Sequence, residues 1–165
     1  MPKHIDFPSE NDIKQLMAVR ADACASIYLP TSQLPTEAEA NRIEFKTLAS
    51  TAVERLRASG VDKHDVNAIH DALHELDDDE GFWLHQARSL AVFATPDSLR
   101  TFRLPNNLTE LVEVSDRLLV KPLLRTVTFP QAAYVLALSV NSARLLAISP
   151  DADPVEVNVP NLPAD

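Results

Sequence analysis

Between Asp77 and Gly81 the apolar residues of this chain change their spacing, and the change restricts what it can fold into. Upstream, Ile43, Leu48, Ala52 and Leu56, then Val66, Ile69, Leu73 and Leu76, recur at helical spacing, as expected of helices with one face on a core. Downstream that period is lost. Ser89–Ala94 and Leu99–Leu104 read as strands, the second with alternation that leaves one face wet, and Leu111–Val114 reads as a third. Tyr134–Ser139 and Ala143–Ser149 form a hairpin over Val140-Asn141-Ser142, and Val155–Val159 is a further strand. An earlier strand, Ala23–Leu29, is closed by Pro30. Runs of helices and runs of strands in separate stretches indicate an α+β fold. The expectation is a mixed or antiparallel sheet covered by two or three helices and ending in a β-hairpin.

Local signals set the element ends. Ser9 caps a first helix reaching about Arg20. Thr36 and Glu39 have the T-x-x-E spacing of a capping box, which predicts the start of a long helix. Gly60 suits the left-handed residue that ends it, and Asp62 caps the next helix. Asp77-Asp78-Asp79-Glu80 reads as a solvated acidic turn, and Phe82-Trp83 as a plug closing the two helices onto the sheet. Pro122 lets a helix begin but not pass through, so 117–125 stays open between helix and extended chain.

At 165 residues and 45% apolar content, the chain can bury a core. No run of about 20 apolar residues is present for a membrane span, and no apolar segment follows the charged N-terminus as in a secretory leader. The single cysteine, Cys24, excludes an internal disulfide and reads as a small buried apolar residue. A reducing cytoplasmic setting is expected.

The net charge of −9 works against a general nucleic-acid binder, whose affinity comes largely from phosphate neutralisation. The charge is uneven. Residues 1–85 carry net −8, residues 86–150 net +3 and residues 151–165 net −4. The basic stretch supplies six candidate RNA contacts: Arg88, Arg100, Arg103, Arg117, Lys121 and Arg125.

His70 and His74, at i,i+4, share a helix face and have spacing that can hold zinc. The intervening residues lack the glutamate of a metalloprotease helix, and the pair reads as exposed histidines among acids. Ser139 and Ser142 sit in no G-x-S-x-G elbow. Two glycines in the whole chain, Gly60 and Gly81, cannot make a glycine-rich phosphate loop. No catalytic, cofactor-binding or metal-binding residue is assigned, and no enzyme is expected.

The segment order carries a resemblance. Ser26-Ile27-Tyr28-Leu29-Pro30-Thr31 precedes a helix containing Arg42-Ile43-Glu44-Phe45-Lys46. Gly81-Phe82-Trp83-Leu84-His85-Gln86, Leu90-Ala91-Val92-Phe93 and Phe102-Arg103-Leu104-Pro105 follow. Asp116–Leu124 and the hairpin at Tyr134–Leu145 complete the series. Over about residues 24–160 this resembles the bacterial archaeo-eukaryotic release factor families, most closely family three. The resemblance implies a release-factor-like N-terminal domain at 1–130 and, at 131–165, the first strands of an RNase H-like middle domain, a truncated arrangement. It implies a translation-associated role on ribosomes in rescue or stress. The Gly-Gly-Gln hydrolytic loop of true release factors is absent, since no two glycines adjoin, and no Asn-Ile-Lys-Ser element is present. The alternative from another class is a protein–protein or homodimerisation module, pairing through an open sheet edge without RNA contact.

Overall fold

The computed structural model describes residues 6, 8–128, 133–139, 143–149 and 152–157. They fall into two compact units, 1–128 and 129–165.

The first unit is built on a four-stranded antiparallel sheet of β1 (Cys24–Pro30), β2 (Ser89–Thr95), β3 (Ser98–Leu104) and β4 (Leu111–Ser115), in the order β3-β2-β1-β4. Its central strands are buried on both faces. Residues alternate across a strand, so Ala25, Ile27 and Leu29 of β1 and Leu90, Val92 and Ala94 of β2 look to one side. There they meet α2 (Ala38–Ala58), α3 (Lys63–Asp78) and the short α4 (Glu80–Trp83). Cys24 and Tyr28, with Ala91 and Phe93, look to the other side. Ile13 and Leu16 of α1 (Glu10–Ala18), Leu118, Val120, and Leu123 of α5 (Lys121–Thr128) cover that face. The sheet is therefore the middle layer of three. Sequence patterning detected the helices but not that they divide between both faces.

Two polar staples fix the second face. The Tyr28 hydroxyl donates to the Leu119 carbonyl at 2.6 Å, and the Leu119 amide donates to Ser26 Oγ at 2.9 Å. Tyr28 and Phe93 meet edge to face at 5.7 Å, and Phe93 meets Phe102 at 6.1 Å, an aromatic row across β1, β2 and β3. On the first face the Trp83 indole donates to the Leu76 carbonyl at 2.9 Å and lies 5.1 Å from Phe45, so the aromatic pair does close the helices onto the sheet.

Helix ends follow the expected chemistry in most places. Ser9 and Asp12 form a reciprocal capping box on α1, Asp62 accepts from the His64 amide at 2.7 Å, and Gly60 takes φ +80° after α2. One expectation fails. Thr36 and Glu39 form no capping box, because Pro35 opens a 3-10 turn through Glu37 and α2 starts only at Ala38, without a side-chain cap. Instead Asn41 holds the preceding loop, pairing both its amide groups with the Ser32 backbone at 2.9 and 3.0 Å.

The acidic run is not uniformly solvated either. Asp77 is buried, its side chain 7% exposed, and accepts from Arg42 Nε at 3.1 Å. Asp79 caps α4 through the Phe82 amide at 2.9 Å. Residues 121–128 form α5 with Pro122 in its first turn, so of the open stretch 117–125 only the part from Lys121 is helical, and 117–120 precede it without regular structure.

The second unit contains a three-stranded antiparallel sheet, β5 (Ala133–Leu138), β6 (Ala143–Ser149) and β7 (Ala152–Val157), in that order. The turn expected at 140–142 lies outside the described residues. The last strand is described over Ala152–Val157, and positions 158 and 159 of the expected strand lie outside the described residues.

Candidate nucleic-acid interface

Three of the six candidate cations are consumed by carboxylates of the same chain. Arg100 and Arg103 lie three apart on β3 and so project from opposite faces of the sheet. Arg100 shares its face with Phe102 and Leu104, 5.5 Å over the Phe102 ring, and is paired with Asp12 and with Gln15 Oε1 at 3.2 Å. Asp12 is held low by its bonds to Ser9 and then by Arg100, so it stays ionised against the guanidinium. Arg103 works on the other face. Its Nε and Nη2 bind the two oxygens of Asp6 at 2.6 and 3.3 Å, Nη1 donates to the His85 carbonyl at 3.0 Å, and the group stacks 5.5 Å over Phe82. The strand therefore lacks the single wet face its alternation suggested: each exposed-looking arginine is tied to the element covering its side.

Arg117 makes a fork-to-fork pair with Asp116, both bonds 3.0 Å. Arg117 and the Ser115 hydroxyl hold the Asp116 carboxyl at about 2. Arg88 and Lys121 remain. Both are exposed, and neither makes an ion pair among the described residues. The Arg88 backbone is pinned, accepting from the Thr31 amide at 3.0 Å and donating to the Leu104 carbonyl at 3.1 Å, so its side chain starts from a rigid base. Lys121 opens α5, a cation at the positive end of a helix. Arg125 lies in α5, with its side chain outside the described part. The six cations thus do not form one patch.

The other candidates are placed as follows. Cys24 is buried, and burial pushes its thiol up, as suits an inert core residue. His70 and His74 are exposed on α3, with ring centres 6.2 Å apart. No group of three or more His, Cys, Asp or Glu is placed to hold a metal among the described residues. No helix is long and apolar enough to cross a membrane among them either. The buried polar residues Ser26, Asn41 and Asp77 were not legible in the sequence, because no local pattern marks a polar residue whose partner lies on another element.

No curated protein matches the chain. A solved structure titled "Archaeal protein" has TM-score 0.50 and 15% identity, covering 94% of this chain and 47% of its own; that likeness is one of fold. A crystal structure of the archaeal translation termination factor aRF1 has TM-score 0.41 and 18% identity, covering 82% of this chain and 39% of its own. The chain spans less than half the length of either. Residues 130–165 match the model of bacterial archaeo-eukaryotic release factor family 11. That segment is similar to the bacterial archaeo-eukaryotic release factor families, through family 11 where the resemblance in sequence pointed to family three.

Proposed function

We propose that this chain is a non-catalytic, translation-associated module that docks on the bacterial ribosome in the cytoplasm, in rescue or stress. The observation that carries this reading is the likeness of residues 130–165 to the release-factor family model. With no adjacent glycines, the 165 residues hold no Gly-Gly-Gln loop and contribute docking, not hydrolysis. Electrostatics supports a narrow contact. Of the six candidates, Arg88 and Lys121 are exposed and make no ion pair among the described residues, while Arg100 and Arg103 tie β3 to Asp12 and Asp6, and Arg117 is neutralised by its neighbour Asp116. The test is co-sedimentation of the chain with purified bacterial ribosomes, repeated with Arg88→Glu and Lys121→Glu together. Loss of binding in the folded double variant supports the reading; unchanged binding removes these two cations from it.

One observation favours a second reading, a self-associating module. β5 is an edge of its sheet, and Tyr134, Leu136 and Leu138 on it are 67%, 53% and 72% exposed. Edge strands with apolar side chains template pairing with another copy. Sedimentation velocity over a range of concentrations separates the two, since an apolar dimer persists in high salt while phosphate binding does not.

A further inference from the structure

We infer that His70 and His74 form a two-nitrogen site for a divalent transition-metal ion on the outer face of α3. The spacing alone places two imidazoles on one helix face. The structure adds a carboxylate beside each Nδ1. His70 Nδ1 lies 3.0 Å from Asp71 Oδ1, and His74 Nδ1 lies 3.0 Å from Asp78 Oδ2. A carboxylate on Nδ1 fixes the proton there and leaves Nε2 as the lone-pair nitrogen, the arrangement that orients metal-binding histidines.

The orientation of His74 is anchored in the core. Asp78 binds Arg42 Nη2 at 3.5 Å through its other oxygen, and the same guanidinium binds buried Asp77 at 3.1 Å. Both rings line one open cleft with Asp71, Glu75, Asp78 and Asp79, so they face solvent amid negative charge that concentrates cations. An ion about 2.0–2.1 Å from each Nε2 sits about 3.2 Å from each ring centre. A tetrahedral angle then asks for ring centres about 5.2 Å apart. The observed 6.2 Å is about 1 Å wider, so binding requires the two rings to turn toward each other. Two imidazoles and no thiolate suit copper, nickel or zinc, with water completing the shell. This site is independent of any ribosome contact.

The experiment is calorimetric titration of the whole chain with Zn²⁺, alongside His70→Ala, His74→Ala, Asp78→Asn and, as a control on the same helix, His64→Ala. One ion per chain is expected. Either His70→Ala or His74→Ala should weaken binding at least about tenfold, and Asp78→Asn by about tenfold, the usual loss for an orienting carboxylate. His64→Ala should bind as the parent does. Circular dichroism confirms that each variant is folded. No binding by the parent chain, or parental affinity in both His70→Ala and His74→Ala, overturns the site.

Discussion

Trp83 is the single tryptophan and sits 2% exposed where α4 meets the sheet, so Trp83→Phe removes a defined set of interactions. The lost indole donor releases the Leu76 carbonyl from a 2.9 Å bond. A hydrogen bond of this kind contributes about 1 kcal/mol. The phenyl ring is smaller than the indole beside Phe45 and Phe82, and the apolar area and residual cavity cost about 1–2 kcal/mol more. The expected loss is about 2–3 kcal/mol, and about 4 kcal/mol for Trp83→Ala. For a unit of this size Trp83→Phe lowers Tm by about 8 °C. Urea unfolding followed by helix circular dichroism measures the loss, with an unchanged slope if only stability moves. Trp83 fluorescence in the parent should be that of a buried indole and shift red in the same transition. A loss below about 0.5 kcal/mol, or solvent-like native fluorescence, refutes the plug.

Asp77→Ala leaves the Arg42 guanidinium half-buried without its main partner and should cost about 2–3 kcal/mol, less than a fully buried pair because Arg42 is 29% exposed; Arg42→Met added to it should recover part of that loss in a urea melt. Glu44 is pushed up by its bond to the Glu110 carboxyl, then by that like charge and by burial, so the folded chain binds this proton more tightly than the unfolded one. The repulsion therefore costs stability above the raised value and is relieved as pH falls through it. Glu110→Gln should raise Tm at neutral pH by an increment that shrinks toward acid pH, and a gain independent of pH would contradict the pairing.

The elements legible in the sequence were those set by short-range chemistry. Ser9, Gly60 and Asp62 marked helix ends because a cap is decided within one turn. Thr36 and Glu39 misled because Pro35, one residue earlier, favoured a tighter turn and displaced the helix start. The chemistry of the arginines was hidden for a different reason. Asp6 and Asp12 lie far upstream of Arg103 and Arg100, and only the sheet brings them together. Half of the six candidate cations counted along the chain are thus neutralised in ion pairs in space. The carboxylates behind His70 and His74 stand one and four residues after them in sequence, but that their oxygens face Nδ1 is a matter of side-chain geometry alone.

The central proposal is that this chain binds the ribosome through few phosphates. Its affinity for purified bacterial ribosomes should be measured at about 50 and 200 mM salt, the range over which phosphate contacts reveal their number. Each cation contributes about −0.7 to −0.9 to the log–log slope. Arg88 and Lys121, with Arg125 as a third at most, give a drop of about 7- to 40-fold. A fall of several hundred-fold would mean that all six cations engage and that the ion pairs to Asp6, Asp12 and Asp116 open on binding. No binding at the lower salt would contradict the ribosomal reading itself.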